Sequence, residues 1–340
     1  MTLYPVYGTP CPRPGYWGWL DAFLGDHKPT PEADYHRFSG IGGSFISKDD
    51  NWKSALHLRD ALDADPVTPT QSMRLGSALH NLVAPSGDAE HSYVGGPDCD
   101  RRSNDNRERH RVAELEAEAR GLPIIAPRDV PTAEAMYESI QANDDAMDLL
   151  SGPTGMNAHG MTEAVLTWRE HGVMCKARAD RIVINEPIED VILVDIKSTK
   201  DASKKAFEKS IRDYGYDVQL AHYRSGLMHA PVEVDWWPER LARHYRDGFP
   251  IVPSKAFVRC AIIAVENVAP FGCSVIWLNE SWLERGDSIR MGRLSMLNRA
   301  ERRDEWPGYP TSYDSEPPAW ALSREDQLTK MMRELARVSV

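Results

Sequence analysis

Residues 178–199 read RADRIVINEPIEDVILVDIKST, and this stretch decides the fold. Leading into it, Val173, Cys175, Ala177 and Ala179 alternate with Met174, Lys176, Arg178 and Asp180, and Ile182 and Ile184 extend an apolar face. That is the period-two pattern of a half-buried strand. Asn185-Glu186-Pro187 breaks the run. From Val191 the chain reads Val-Ile-Leu-Val-Asp-Ile-Lys, a β-branched stretch of the kind found in strands covered on both faces. Asp195 interrupts it, and a carboxylate there is costly to bury unless it is paired or binds a cation. The two aspartates stand fifteen positions apart about the break, so a hairpin brings Asp180 and Asp195 side by side. Hard oxygen ligands of this kind suit Mg²⁺ or Mn²⁺ rather than zinc. Alternation puts Lys197 on the face of Asp195, where an ammonium can orient an attacking water or offset charge on a pentavalent phosphate. The pattern points to phosphodiester hydrolysis, but Asp-x-Lys alone is a common surface ion pair.

Two flanking segments add weight. Tyr216–Tyr223 (YDVQLAHY) reads as a helix with Gln219 and Tyr223, four apart, on one face. Arg74–Val83 (RLGSALHNLV) reads as an amphipathic helix with His80 beside the stripe Leu75, Leu79, Leu82 and Val83. A lone histidine there is more often a satisfied core residue than a ligand. In the order His80, Asp180, Asp195-Ile196-Lys197, Gln219-x-x-x-Tyr223 the chain resembles the RecB-like branch of the PD-(D/E)xK nucleases, and more closely the RecE-type (exonuclease VIII-like) exonucleases of phages and prophages. Phe45-Ile46-Ser47-Lys48, RLGSALHNLV, CKARADRI, VDIKSTKDAS, AFEKSIRDYGYDVQLAHYRSGL, AVENVAPFG, Glu305–Tyr309 and Pro318-Ala319-Trp320 carry the likeness over residues 40–322. Ala179 stands where that superfamily's name has proline, a residue that shapes backbone and ligates nothing.

The resemblance implies an α/β fold, a PD-(D/E)xK core in which a mixed central sheet is flanked by helices, with a C-terminal helical region. Residues 1–40 would be an irregular N-terminal extension, 41–322 the nuclease domain and 323–340 a C-terminal helix. His80, Asp180, Asp195 and the Ile196 carbonyl would hold metal, and Glu163, just before Ala164-Val165-Leu166, is a candidate for a second ion. Lys197 would position or activate the nucleophilic water, with Gln219 and Tyr223 lining the site. The implied activity is Mg²⁺-dependent exonuclease action, with Mn²⁺ as substitute. It would digest one strand of linear duplex DNA from 5′ to 3′, leaving a 3′ tail for a RecT-like annealing protein. A ring-shaped homo-oligomer is implied as well. Two other readings stay open: a structure-specific or restriction-like endonuclease with the same metal site, and a DNA-end-binding module without catalysis.

Composition pulls the other way. The 340 residues carry a net charge of −11 and a pI of about 5.5, whereas affinity for the phosphate backbone comes from cations. Locally the sign reverses. Between Lys197 and Arg212 six basic residues face only Asp201 and Glu208, so Lys200, Lys204, Lys205, Lys209 and Arg212 are expected to form a wall against DNA. The mixed run Arg101–Arg111 reads as solvated. By the same resemblance Ser47 is a candidate contact for a terminal 5′ phosphate, a helix N-cap before Asp49–Leu58 being the better fit. Trp236, Trp237 and Trp306 are expected to be core or interface residues rather than base-stacking ones. Five cysteines (11, 99, 175, 260, 273) show no paired spacing; with only Cys260 and Cys273 beyond Tyr223, no iron–sulfur cluster is expected. No apolar run reaches membrane-spanning length and no N-terminal signal is visible, so a cytoplasmic protein without membrane contact is expected. Helices are expected over Arg107–Arg120, Pro131–Leu150, Ser281–Arg303 and Ser323–Arg337, and strands over Ala256–Glu266 and Cys273–Leu278.

Overall fold

The computed structural model describes residues 39–65, 67–83, 92–100, 102–151, 158–185, 190–229 and 258–312, with positions 35, 314, 315 and 317. The chain divides into a unit Met1–Trp306, which holds every element named below, and a unit Pro307–Val340. In order the elements are α1 (Gly43–Ser47), α2 (Ala55–Asp63), α3 (Gln71–Val83), β1 (Val94–Gly95), α4 (Asn104–Arg120), β2 (Ile124–Ile125), α5 (Val130–Gln141) and α6 (Asp144–Ser151). Then come β3 (Ala158–Glu170), β4 (Val173–Asn185), β5 (Asp190–Thr199), α7 (Lys204–Tyr214), α8 (Tyr216–Met228), β6 (Val258–Glu266), β7 (Cys273–Leu278) and α9 (Glu280–Arg303).

Local chemistry explains several boundaries. Ser103 caps α4 through the Asn106 N–H, and Gly121, at φ 63, ends it in the left-handed conformation. Expected as one helix, residues 131–150 form two, because the Asn143 side chain accepts the Ala146 N–H at 3.0 Å and starts α6 afresh. Asp49–Leu58 is likewise not continuous: a 3₁₀ turn over Asp49–Trp52 precedes α2, which Ser54 caps through the His57 N–H. The expected helix Ser323–Arg337, Trp236, Trp237 and nearly all of the N-terminal extension lie outside the described residues.

Strands β3 to β7 form a mixed sheet in sequence order, antiparallel except for the parallel pair β5–β6. Strand β5 is covered on both faces, as its composition requires. Val191 and Leu193 join one core with α8, α9 and α2, while Ile192, Val194 and Ile196 join another with α3, α5 and α6. The fold is thus a helix–sheet–helix sandwich of the expected α/β class.

Helix α8 sits between the sheet and α9, and ten of its thirteen residues are buried, so its polar groups need internal partners. Arg224 makes a two-pronged pair with Glu280 of α9 (3.0 and 2.6 Å), and Asp217 pairs with Arg285. Ser225 donates to Glu170 at 2.8 Å, and Arg290 grips the same carboxylate at 2.7 and 3.0 Å. His222 Nε2 faces the carbonyls of Ile41 (3.1 Å) and Lys176 (3.2 Å), so it carries the proton and donates to both. Burial, and then the Arg290 charge, push its pKa down to about 4, which keeps the ring neutral. The α8–α9 approach is so close that a Cβ on Gly286 would collide with the Asp217 carbonyl. Among the described residues no helix is long and apolar enough to cross a membrane.

Candidate active site

The site forms where the sheet comes apart. Strands β3 and β4 pair at Thr162–Arg181 and again at Ala164–Ala179, leaving Glu163 opposite Asp180 without a ladder pair. The β4–β5 ladder ends at Arg181–Val194, and Asp180 and Asp195 are the next positions in that register. Glu163, Asp180 and Asp195 therefore lie in a row across three adjacent strands. Glu163 has φ 54, rare for a residue with a Cβ. The apolar face of β4 also changes parity here: Ala177 and Ala179 belong to the same core as Ile182. Ile182 prolongs the apolar face, as expected, but only because the strand turns over at Asp180.

Into the gap come polar side chains from three directions. Asp180 Oδ2 accepts the Ile196 N–H at 2.7 Å, taking the place of a lost ladder bond. His80, from α3, sets Nδ1 3.3 Å from Asp180 Oδ1 and Nε2 3.0 Å from the Ile196 carbonyl oxygen. Lys197 Nζ lies 2.6 Å from Asp195 Oδ2 and 5.2 Å from the centre of the Tyr216 ring. Gln219 donates to Asp195 Oδ1 at 3.2 Å and to Tyr223 Oη at 2.8 Å. Glu163 pairs with Arg178 at 2.7 Å. Three carboxylates thus face two cations and an imidazole.

The charges tune one another. Burial pulls the His80 pKa down, but the Asp180 charge and hydrogen bond, with Glu163 beyond, outweigh it and raise the ring to about 9. Burial pushes the Asp180 carboxyl up, yet His80 and Lys197 hold it below the usual range. For Asp195 burial wins, and despite Lys197 the carboxyl rises to about 6. Lys197, though buried, is raised by Asp195 and Asp180 and stays charged. Groups pushed apart in this way beside a cavity mark functional sites.

Could this donor set hold a cation? His80, Glu163 and Asp180 each offer a ligand atom, all within 4.8 Å of one another. The Asp195 carboxylate stands outside that group, engaged by Lys197 and Gln219. Apart from the Lys197 ion pair, its buried Oδ2 has no hydrogen-bond donor among the described residues. Two carboxylates and an imidazole, with a third carboxylate beside them, fit a hard divalent ion.

A cavity of about 610 Å³ opens over these groups. Its floor is Glu163, Arg178, Asp180, Ile196 and Lys197; one wall is α3 from Ser72 to Asn81, and the other is formed by Tyr214, Tyr216, Gln219 and Tyr223. All eight catalytic or metal candidates and all five DNA-wall candidates can be placed. His80, Glu163, Asp180, Ile196, Lys197, Gln219 and Tyr223 line the cavity, while Asp195 lies under Lys197 and Gln219. Lys200, Lys204, Lys205, Lys209 and Arg212 are exposed on and just before α7, but Asp213, one residue beyond the basic run, pairs with both Lys209 (2.5 Å) and Arg212 (2.9 Å). Ser47 is buried, with its hydroxyl on the Ser44 carbonyl, and does not line the cavity; Ser44 does. Nor does Ser47 cap a helix. Sequence reasoning passed over Arg178 and Tyr214. Arg178 had a signal, two residues before Asp180 on one strand; Tyr214 had none.

Residues 53–233 match a family described as a PDDEXK-like domain of unknown function (DUF3799). The chain belongs to this PDDEXK-like family. Its mixed sheet with helices on both faces is the nuclease-type core that this membership entails. Among solved structures it is similar to one described as "Putative exonuclease" from Eubacterium rectale, with 12% identity over 81% of this chain and 85% of that one and a TM-score of 0.47. No curated protein matches the sequence.

Proposed function

We propose that this PDDEXK-like protein is a Mg²⁺-dependent exodeoxyribonuclease, of RecE type, that resects linear duplex DNA from 5′ to 3′. The observation that carries the nuclease part is the row Glu163–Asp180–Asp195 at the parting of β4 and β5, with His80 and Lys197 converging on it. His80, Glu163 and Asp180, with Asp195 and the Ile196 carbonyl beside them, would hold the ion. When bound, a divalent cation there polarises a phosphate oxygen and lowers the pKa of water.

The chain's own groups supply the rest. Lys197, held charged, places an ammonium beside the carboxylates, where charge builds on the phosphate during attack. Gln219 fixes Asp195 and is itself fixed by Tyr223. Arg178 adds a second cation at the floor of the cavity. Exposed Lys200, Lys204 and Lys205 follow directly after β5 and would meet the phosphate backbone. The exonuclease mode, the polarity, a RecT-like annealing partner and a ring-shaped assembly rest on the order of motifs described above.

The test is digestion of linear duplexes labelled separately at each 5′ and 3′ end, beside a covalently closed circle. Mg²⁺-dependent loss of the 5′ label as mononucleotides, with the 3′ label kept on long strands and the circle intact, is expected. Cleavage of the circle would replace exonuclease by endonuclease.

A further inference from the structure

The cavity wall formed by α7 and α8 ends in a graded stack of three rings. Phe207 is buried in the core; Tyr216 stacks on it at 6.0 Å with the planes 29° apart; Tyr214 stacks on Tyr216 at 5.7 Å and 29°. Tyr214 is 64% exposed and lines the cavity. Single exposed aromatics are ordinary on a protein surface. This one is the outermost member of a column rooted in the core, and the middle ring lies 5.2 Å from the Lys197 ammonium. Gly215, with φ 67, joins α7 to α8 and sets Tyr214 and Tyr216 on successive helices.

We infer that Tyr214 is the stacking platform for an unpaired base at the strand end, and that the protein therefore takes hold of a frayed end rather than a paired one. The inference rests on the nuclease reading and specifies what that site accepts. A base presents a flat π face whatever its identity, so stacking suits an enzyme that must accept every sequence. A ring already ordered by two others loses little freedom on binding. Across the cavity Met73 of α3, 54% exposed, offers a soft apolar surface that adapts to different bases. At about 610 Å³ the cavity has the size of sites that take a small molecule, room for the end of one strand. Trp306 is unsuited to stacking: it packs against the core, with the Arg59 guanidinium 5.1 Å over its ring.

The test uses duplex oligonucleotides carrying 2-aminopurine as the 5′-terminal base, either paired or opposite a mismatch, with Ca²⁺ in place of Mg²⁺. Wild-type protein should quench the fluorescence and bind the mismatched end more tightly. Tyr214→Ala should lose the quench and the preference and bind about 5- to 150-fold more weakly, whereas Tyr214→Phe should keep all three. The exposure of Tyr214 lets both variants fold, which circular dichroism checks. If Tyr214→Ala binds and quenches like the wild type while the wild type cuts DNA in Mg²⁺, the stacking role is overturned alone. A wild type that quenches but never cuts overturns the nuclease reading alone. One that neither binds nor cuts overturns both.

Discussion

Asp180 accepts the Ile196 N–H at 2.7 Å across the gap where β4 and β5 stop pairing. A backbone donor that would have gone to a neighbouring strand instead fixes an acidic side chain where β4 and β5 part. The orientation of Asp180 is therefore set by the fold before any ligand arrives.

Substitutions in the site should separate binding from turnover. Asp195→Ala should abolish digestion while DNA binding in Ca²⁺ persists, and turnover comparable to wild type would remove Asp195 from the chemistry. Lys197→Ala should lower kcat by about 10²- to 10³-fold, as expected for loss of a charge aimed at the transition state. Tyr223→Phe removes one neutral hydrogen bond, from Gln219, and should cost about tenfold or less. Single-turnover kinetics on an end-labelled duplex measures all three.

Metal should act on stability as well as rate. Excess EDTA should stop the reaction, Mn²⁺ should partly replace Mg²⁺, and Ca²⁺ should bind without supporting turnover. At a hundredfold excess over its Kd the ion should add about 2.7 kcal/mol to unfolding. The double variant Glu163→Gln, Asp180→Asn should show no such gain in urea titrations, since it lacks two of the three clustered ligands.

The Glu170–Arg290 pair should make the protein acid-sensitive. Burial pushes the Glu170 carboxyl up, but hydrogen bonds and charge from Arg290, with Trp168 and Ser225, bring it down to about 2. A depressed carboxyl stabilises the fold fully above its ordinary pKa of 4.5 and loses that contribution as pH falls towards 2. Glu170→Gln leaves Arg290 to Asp287 alone and should cost about 3 kcal/mol at pH 7. In urea unfolding the deficit should shrink from pH 4.5 downwards; a pH-independent deficit would mean that packing, not charge, carries it.

Gly286→Ala should destabilise by about 1–3 kcal/mol, because the added methyl meets backbone rather than a side chain that could turn aside. Thermal unfolding reads this directly. Gly292→Ala on the same helix, where a Cβ meets nothing within 4 Å, is the control and should be neutral or slightly stabilising.

The hairpin was legible because β-branched runs and a proline turn are local signals, and Asp195 stood out as a charge where none is cheap. The break between α5 and α6 was not, since Asn143 acts by capping, and its alternative as an ordinary helix residue looks identical in sequence. Glu163 could be named but not placed: its position depends on the register of β3 and on a positive φ, neither of which its neighbours encode. Ser47 went the other way, its hydroxyl turned to backbone and its side chain buried by α1 and Gly215. The partner of Lys209 and Arg212 was not legible, because Asp213 lies one residue past the basic run and pairing along α7 joins residues four apart.

Helix α8 carries Gln219 and Tyr223 on the same rod whose other sides are clamped by Glu280 and Arg285 and tied through Ser225 to Glu170. A mutational library screened for solubility alone would consequently return Asp217, Arg224 and Ser225 nearly unchanged. Whatever preserves the architecture here preserves the workplace, so the two cannot drift independently.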